Sequence, residues 1–174
     1  MLKTRYDAYR LLEQLGAPPR LIRHLELVGE AADELLRAYD DLGIKSDTNL
    51  IELGVAVHDA GKILHPAELN EPGSLHEAAG RQLLLSHGVQ PEVAQCCVTH
   101  ATWSLPDVSF EEQTVALADK LWKGKREEAL ELVVVDQAAN RLKCDRWDIF
   151  TQLDEVFENI AAGGPERLKR SLDI

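Results

Sequence analysis

The chain has 174 residues, 45% of them hydrophobic and 28% charged, which is enough material for one domain with a substantial core. Its formal net charge of −11 repels polyanions, and this argues against nucleic acid or an anionic membrane surface as the main partner. A small anionic ligand remains compatible with a locally positive pocket. Because no apolar run reaches the length of a membrane span, we expect a cytoplasmic protein with reduced cysteines.

Two helices are predicted at the start of the chain. The first begins at Thr4 and stops before Gly16, a typical residue just past a helix end. The second begins at the proline pair 18–19, because proline fits the first helical turn, and ends at Gly43. His24 lies on or beside its apolar stripe, where a lone histidine is more often a hydrogen-bonded core residue than a ligand. The stripe consists of Leu21, Leu25, Val28, Ala32, Leu35 and Tyr39.

A third helix is expected to end in the pair His58-Asp59. Residues 46–49 offer N-caps for it, and Asn49 with Glu52 resembles a capping box. The helix is apolar on nearly every side, which predicts a central position in a bundle. A histidine and an aspartate at its buried end are costly unless they bind a partner. Together they offer a divalent metal one nitrogen and one oxygen ligand.

The residues after Asp59 indicate how this site continues. Gly61 is expected to allow a sharp turn of the backbone, and Lys62 places a cation where a phosphate could bind. Residues 63–73 form a proline-containing loop of a length that often carries function.

The next predicted helix contains two histidines. Ser74 and Glu77 form a clear capping box at its start, and Gly88 marks its end. His76 lies in the first turn and His87 in the last, and helical periodicity places both on one face without choosing between them. A protonated His87 would be stabilised by the helix dipole, which favours a capping role for it.

Two further helices carry His100 and Asp119. One begins at Pro91 and places His100 on its inward side, at the helix end. The other begins with a capping box of Ser109 and Glu112 and puts Asp119 on an otherwise apolar face, which is an unusual place for a carboxylate. The basic residues that follow are most simply a solvated helix face. They are Lys120, Lys123, Lys125 and Arg126.

Helical periodicity continues to the end of the chain, with glycines at 163–164 as the only strong late break, and no strand pattern competes. We therefore predict an all-α fold, a single-domain helical bundle over residues 1–174. Its metal-site core spans residues 18–126, and its C-terminal helices span residues 127–174. These amphipathic C-terminal helices could form the surface of a homodimer as readily as part of the core.

Six polar residues on buried faces come from several separate helices, and a cluster of this kind is what a metal site requires. They are His24, His58, Asp59, His76, His100 and Asp119. The expected cofactor is one or two divalent transition metal ions, with Mn, Fe, Ni and Zn all compatible with nitrogen and oxygen ligands.

The order of these residues resembles the HD domain superfamily of metal-dependent phosphohydrolases, over roughly Pro18 to Arg126. The segment Val57-His58-Asp59-Ala60-Gly61-Lys62 is similar to the signature of that family, and Ala118-Asp119-Lys120 is similar to its closing aspartate motif. The resemblance implies a helical bundle and an enzyme that hydrolyses phosphate esters or phosphoanhydrides.

Two branches of the superfamily share further segments with this chain. Residues 74–80 and 100–102 resemble the bacterial enzymes that cleave diadenosine tetraphosphate symmetrically. Residues 61–73 also resemble the branch that degrades cyclic diguanylate, but the Gly-Tyr-Pro element of that branch is missing after His100. The expected substrate is therefore a small nucleotide-like phosphate ester.

The resemblance also implies a role for each residue. A first metal would be held by four ligands, which are His24, His58, Asp59 and Asp119. A second metal would be held by His76 and His100, with Asp59 as the bridge. Asp59, Lys62 and Asp119 would be catalytic. Apart from the resemblance, the basic side chains suggest that Lys62, Arg81 and Lys120 bind the substrate, with Arg23, Lys123 and Trp103 as further candidate outer contacts.

Two other functions remain compatible with the sequence. A non-catalytic regulatory or ligand-binding HD module would keep the bundle without turnover, and the full ligand set with Lys62 argues against it. A di-iron oxygenase is the other alternative, because the superfamily resemblance extends to such enzymes, although nothing in the sequence demands iron.

Overall fold

The computed structural model describes residues 1–173, and this range contains ten α-helices and no strand, which confirms the all-α prediction. The helices are α1 (Arg5–Gln14), α2 (Pro19–Leu42), α3 (Thr48–Val57), α4 (Leu75–Ser86), α5 (Pro91–Ala94), α6 (Cys96–Thr99), α7 (Phe110–Leu121), α8 (Glu128–Leu142), α9 (Arg146–Ala162) and α10 (Gly164–Arg170). Two 3₁₀ turns, Ala60–Ile63 and Pro66–Leu69, lie between α3 and α4.

Several helix ends are set by local sequence, as predicted. Proline occupies the first turn of α2, and Gly43 ends this helix in the left-handed conformation, with φ of 74°. Ser109 and Glu112 form the predicted capping box of α7, and each accepts a hydrogen bond from the other residue's backbone N–H. The predicted stripe of α2 is buried along its whole length.

Three helix predictions are wrong in detail. The N-cap of α3 is Asp47, whose side chain accepts a hydrogen bond from the N–H of Leu50, so the proposed box of Asn49 and Glu52 does not form. The helix expected from Pro91 to His100 is two short helices, α5 and α6, rather than one continuous element. Ser74 stands at the N-cap of α4 as predicted, but its side chain makes no capping hydrogen bond.

Helix α3 lies between two hydrophobic clusters, which explains why its sequence is apolar on nearly every side. Ile51 and Val55 pack into the larger cluster with α2, α7, α8 and α9. Leu53 and Val57 pack into the smaller one with α1, the start of α2, α4 and α5. The C-terminal end of α3, which carries His58 and Asp59, is thereby held inside the bundle.

The C-terminal helices share the larger cluster with the helices that carry the predicted metal ligands. Leu130 and Val134 of α8 and Leu153 and Phe157 of α9 are buried there beside residues of α2 and α7. Within residues 1–173, no helix combines the length and the apolar character needed to cross a membrane.

Candidate metal centre

Four predicted ligands meet where α2, the end of α3 and the last turn of α7 come together. The Nε2 atom of His24 lies 3.0 Å from Asp59 Oδ2 and 3.6 Å from Asp119 Oδ1. The Nε2 atom of His58 lies 3.2 Å from Asp119 Oδ1 and 3.8 Å from Asp59 Oδ2. Each of the four residues offers one ligand atom, and these atoms all lie within 4.8 Å of one another.

Two more predicted ligands approach the other oxygen of Asp59. His76, the second residue of α4, places Nε2 at 3.3 Å from Asp59 Oδ1, and His100, directly after α6, places Nε2 at 3.5 Å from the same oxygen. These three residues form a second group whose ligand atoms also lie within 4.8 Å of one another. Asp59 therefore faces one group with Oδ2 and the other with Oδ1.

The hydrogen bonds of the outer ring nitrogens orient the imidazoles. The Nδ1–H of His58 donates to the carbonyl of Val55, and that of His100 donates to the carbonyl of Cys96, both at 3.0 Å. A carbonyl can only accept, so these bonds place a proton on Nδ1 and make Nε2 the nitrogen that would bind a metal.

The Nε2 atom of His24 is the one buried ligand atom of this centre, among residues 1–173, that is available to a further binding partner. It is buried and has no hydrogen-bond partner of acceptable geometry within residues 1–173, although Asp59 Oδ2 is only 3.0 Å away. Buried polar atoms are almost always paired. A cation between the imidazoles and carboxylates would use this nitrogen, so the residues present fit a divalent transition metal.

The electrostatics of the centre also favour a bound cation. Burial raises the pKa of Asp59 and of Asp119, but the facing imidazoles outweigh burial and hold both pKa values below the usual range. Burial opposes ionisation of His58 as well, yet the two carboxylates raise the pKa of His58 to about 9. Both carboxylates are therefore ionised at neutral pH, ready to hold positive charge.

The comparisons with known proteins agree with this geometry. The family model described as HD domain matches residues 21–124, which is more than half of the chain. This chain belongs to the HD domain family. The searches of curated proteins and of solved structures gave no match. HD domains bind divalent metals, and the cluster of histidines and aspartates described above fits a family of metal-dependent phosphohydrolases.

A close approach of two glycines brings the second group of the HD centre together. A Cβ on Gly61 would overlap the carbonyl oxygen of His76, and one on Gly80 would lie 2.7 Å from the backbone nitrogen of Gly61. The backbone does turn at Gly61, within the 3₁₀ turn Ala60–Ile63, but the φ of Gly61 is not positive, so the turn itself does not require glycine. Its function is to let α4 approach the turn that follows the HD motif, which carries His76 to Asp59.

The two candidate histidines of α4 have separate environments. His76 is buried beside Asp59, whereas His87 is exposed at the other end of the helix. The Nδ1–H of His87 donates to the carbonyl of Leu83 at 2.9 Å, in agreement with the expected capping role. His76, and not His87, therefore joins the HD centre.

Glu68 belongs to the centre but was missed in the sequence. It lies in the second 3₁₀ turn and accepts a hydrogen bond from Nδ1–H of His76, while it also accepts from the backbone N–H groups of Leu75 and His76, both at 3.0 Å. The same contacts replace the missing Ser74 cap. No spacing rule links a helix start to an acid seven residues before it, so only the folded loop reveals Glu68.

The three residues predicted to bind the substrate differ in their hydrogen-bond and ion-pair partners. Lys62 Nζ donates to Asp59 Oδ2 at 2.8 Å, so it borders the centre. Arg81 Nε donates to Gln95 Oε1 at 2.8 Å. Lys120 is half-buried in the last turn of α7, directly after Asp119, and forms no ion pair within residues 1–173.

The remaining basic candidates have structural partners or are solvent-exposed. Arg23 Nη1 lies 3.5 Å from Glu26, and Lys123 is exposed. Trp103 packs against the larger hydrophobic cluster, which is the ordinary role of a half-buried aromatic residue. Arg126 is held by acids of α8 and α9, namely Glu131, Asp154 and Glu158.

Proposed function

We propose that this protein is a metal-dependent phosphohydrolase that acts on a small nucleotide-like phosphate ester. The observation that carries the proposal is the position of Asp59, whose two oxygens face two separate groups of imidazole and carboxylate ligands. Such sharing suits a carboxylate that bridges two cations. The HD family consists in general of metal-dependent hydrolases, which supports the same reaction class.

The ligands divide between two ions in this proposal. His24, His58, Asp59 and Asp119 would hold the first, and His76 and His100 would hold the second together with Asp59. When bound, these ions would lower the pKa of a water molecule toward neutrality and polarise a phosphoryl oxygen.

Lys62 and Asp119 take the remaining roles at the edge of the centre. The Lys62 side chain is 19% exposed, so its ammonium can reach a substrate while it stays beside Asp59. There it would neutralise charge that develops on the transferred phosphoryl group. The Asp119 side chain is 20% exposed, and its free oxygen would accept a hydrogen bond from the attacking nucleophile and orient it.

The substrate is proposed on charge and on sequence resemblance. An acidic protein with a net charge of −11 would hold a small anion only through local cations, for which we propose Lys62, Arg81 and Lys120. The segments at 74–80 and 100–102 resemble enzymes that act on diadenosine tetraphosphate, so this compound comes first in a substrate panel. Cyclic diguanylate is the matched comparison, because the Gly-Tyr-Pro element of its hydrolases is missing.

The test combines metal content with a panel of phosphoesters. Wild type, Asp59→Ala, His100→Ala and His87→Ala would be loaded with manganese, dialysed and measured by elemental analysis and by phosphate or nucleotide release. We expect close to two ions in wild type, about one in His100→Ala and few in Asp59→Ala, with activity reduced at least about 100-fold in both. The exposed His87 provides the control, and its variant should match wild type.

Each other outcome points to a different conclusion. A wild type that binds no manganese or iron after reconstitution contradicts the metal centre. Two bound ions without turnover of any phosphoester would overturn the hydrolase and indicate a regulatory HD module. Iron with an oxygen-dependent absorption spectrum and no hydrolysis would instead indicate the oxygenase.

A further inference from the structure

The Glu68 carboxylate is nearly buried, and both of its oxygens are used. Its side chain is 9% exposed. Oε1 accepts from the N–H of Leu75, and Oε2 accepts from the N–H and the Nδ1–H of His76. Within residues 1–173 no lysine or arginine forms an ion pair with it, so the first turn of α4 and the imidazole of His76 are its partners.

The position of His76 in its helix explains why such an acceptor is needed. His58 and His100 follow the ends of α3 and α6, where carbonyls three or four residues earlier in the same segment receive their Nδ1–H groups. His76 is the second residue of α4, so no preceding helical turn can supply a carbonyl. The acceptor for its ring has to come from another part of the chain.

The loop between the HD motif and α4 is shaped to provide that acceptor. The 3₁₀ turn Pro66–Leu69 directs Glu68 toward the start of α4. A Cβ on Gly73 would overlap Glu68 Oε1, so the loop leaves room for the carboxylate only because this residue is glycine. The contact therefore depends on the folding of the whole segment 63–73.

We propose that Glu68 is a positioning residue for the second metal ion, acting through His76. It fixes the proton on Nδ1, holds the plane of the ring and leaves Nε2 directed at Asp59 Oδ1. A carboxylate behind a ligating histidine also makes the imidazole a stronger ligand, and loss of such a partner commonly weakens metal binding about 10- to 100-fold. The inference rests on the metal centre of the proposed function, and it needs no assumption about the substrate.

A role as helix cap alone is the competing explanation, and metal binding separates the two. Glu68→Ala, Glu68→Gln and Glu71→Ala would be titrated with Mn²⁺ in equilibrium dialysis, and the metal-free proteins would be melted in parallel. Glu71 is an exposed acid of the same loop whose side chain has no ion-pair or hydrogen-bond partner within residues 1–173, so it provides a matched control. Glutamine retains one oxygen that can accept from His76.

We expect Glu68→Ala to bind the first Mn²⁺ as wild type does and the second about 10- to 100-fold more weakly. The affinity of Glu68→Gln for the second ion should lie between those of wild type and Glu68→Ala, and Glu71→Ala should match wild type. A lower melting temperature of Glu68→Ala with unchanged affinity for both ions would overturn the inference and leave a simple helix cap. Absence of Mn²⁺ binding in wild type would overturn the proposed metal centre itself. If Glu68→Ala fails to fold, Glu68→Gln provides the test, and an unchanged affinity of this variant for the second ion would contradict the inference.

Discussion

Buried charges occur in two regions of this protein, and the two regions treat them differently. Outside the metal centre, each buried charged side chain has an opposite charge within the chain. Glu111 pairs with Arg141 at 2.8 Å, and Glu131 pairs with Arg126 at 2.7 Å. Arg167 pairs with Glu34 at 2.7 Å and donates to two carbonyls as well.

In the metal centre the groups converge on shared atoms instead of forming separate pairs. Four imidazoles face Asp59 and Asp119, and within residues 1–173 His24 Nε2 has no hydrogen-bond partner of acceptable geometry. Buried charge is costly unless it is compensated. The members of each pair outside the centre neutralise one another, whereas the centre gathers several ligand atoms that could hold a cation together.

The largest effect is expected from breaking the Arg167 contacts. The Arg167 side chain is 6% exposed, and its guanidinium donates to the carbonyls of Trp122 and Ile160, so Arg167→Met leaves buried acceptors unpaired. We expect the free energy of unfolding to fall by about 3 kcal/mol in urea denaturation. Arg146→Met removes a pair with Asp136 at the surface, and its cost should stay below about 1 kcal/mol. Equal costs for both variants would contradict the distinction.

The second largest effect distinguishes the metal centre from the ion pairs outside it, through the stability that a bound metal adds. Manganese at about 100 times its Kd should raise the free energy of unfolding of wild type by about 2.7 kcal/mol, because it binds only the folded state. Asp119→Ala should lose most of this gain, whereas Asp154→Ala, which removes one acid beside Arg126, should retain it. Denaturation with and without Mn²⁺ measures the gain, and an equal gain in the two variants would place the cation elsewhere.

The smallest effect concerns the pH dependence of the ion pair between Glu111 and Arg141. Burial raises the pKa of Glu111, but hydrogen bonds from Arg141 and from the N–H of Asp47 outweigh burial and lower this pKa below its ordinary value of 4.5. A lowered pKa in the folded state stabilises the protein above pH 4.5, and this stabilisation is lost as the pH falls through the lower value.

The matching variant is Glu111→Gln, which cannot ionise. At pH 7 we expect it to be less stable than wild type by about 2 kcal/mol, the size of a buried hydrogen bond to a charged group. The difference should shrink when the free energy of unfolding is measured below pH 4. A difference that does not change with pH would show that Glu111 contributes through packing alone.

Features that depend on neighbouring residues could be predicted from the order of amino acids. Proline at the start of α2, glycine at its end and the Ser109 capping box act within one turn of the chain, so the pattern predicts them directly. The apolar character of α3 on nearly every side also predicted its central position, because a helix of this kind is stable only when it is buried. The adjacent His58 and Asp59 at its end indicated a metal site, helical periodicity placed the other candidate ligands on buried faces, and the resemblance to HD domains favoured His76 over His87.

Contacts between side chains that are far apart in the chain depend on how the helices pack. Helical periodicity places His76 and His87 on the same face of one helix. The close packing of Gly61 on Gly80 brings only His76 to Asp59. Glu68 took the capping role expected of Ser74 because the folded loop places its carboxylate at the start of α4. Local patterns encode hydrogen bonds within a turn, whereas these contacts depend on the path of the backbone between them.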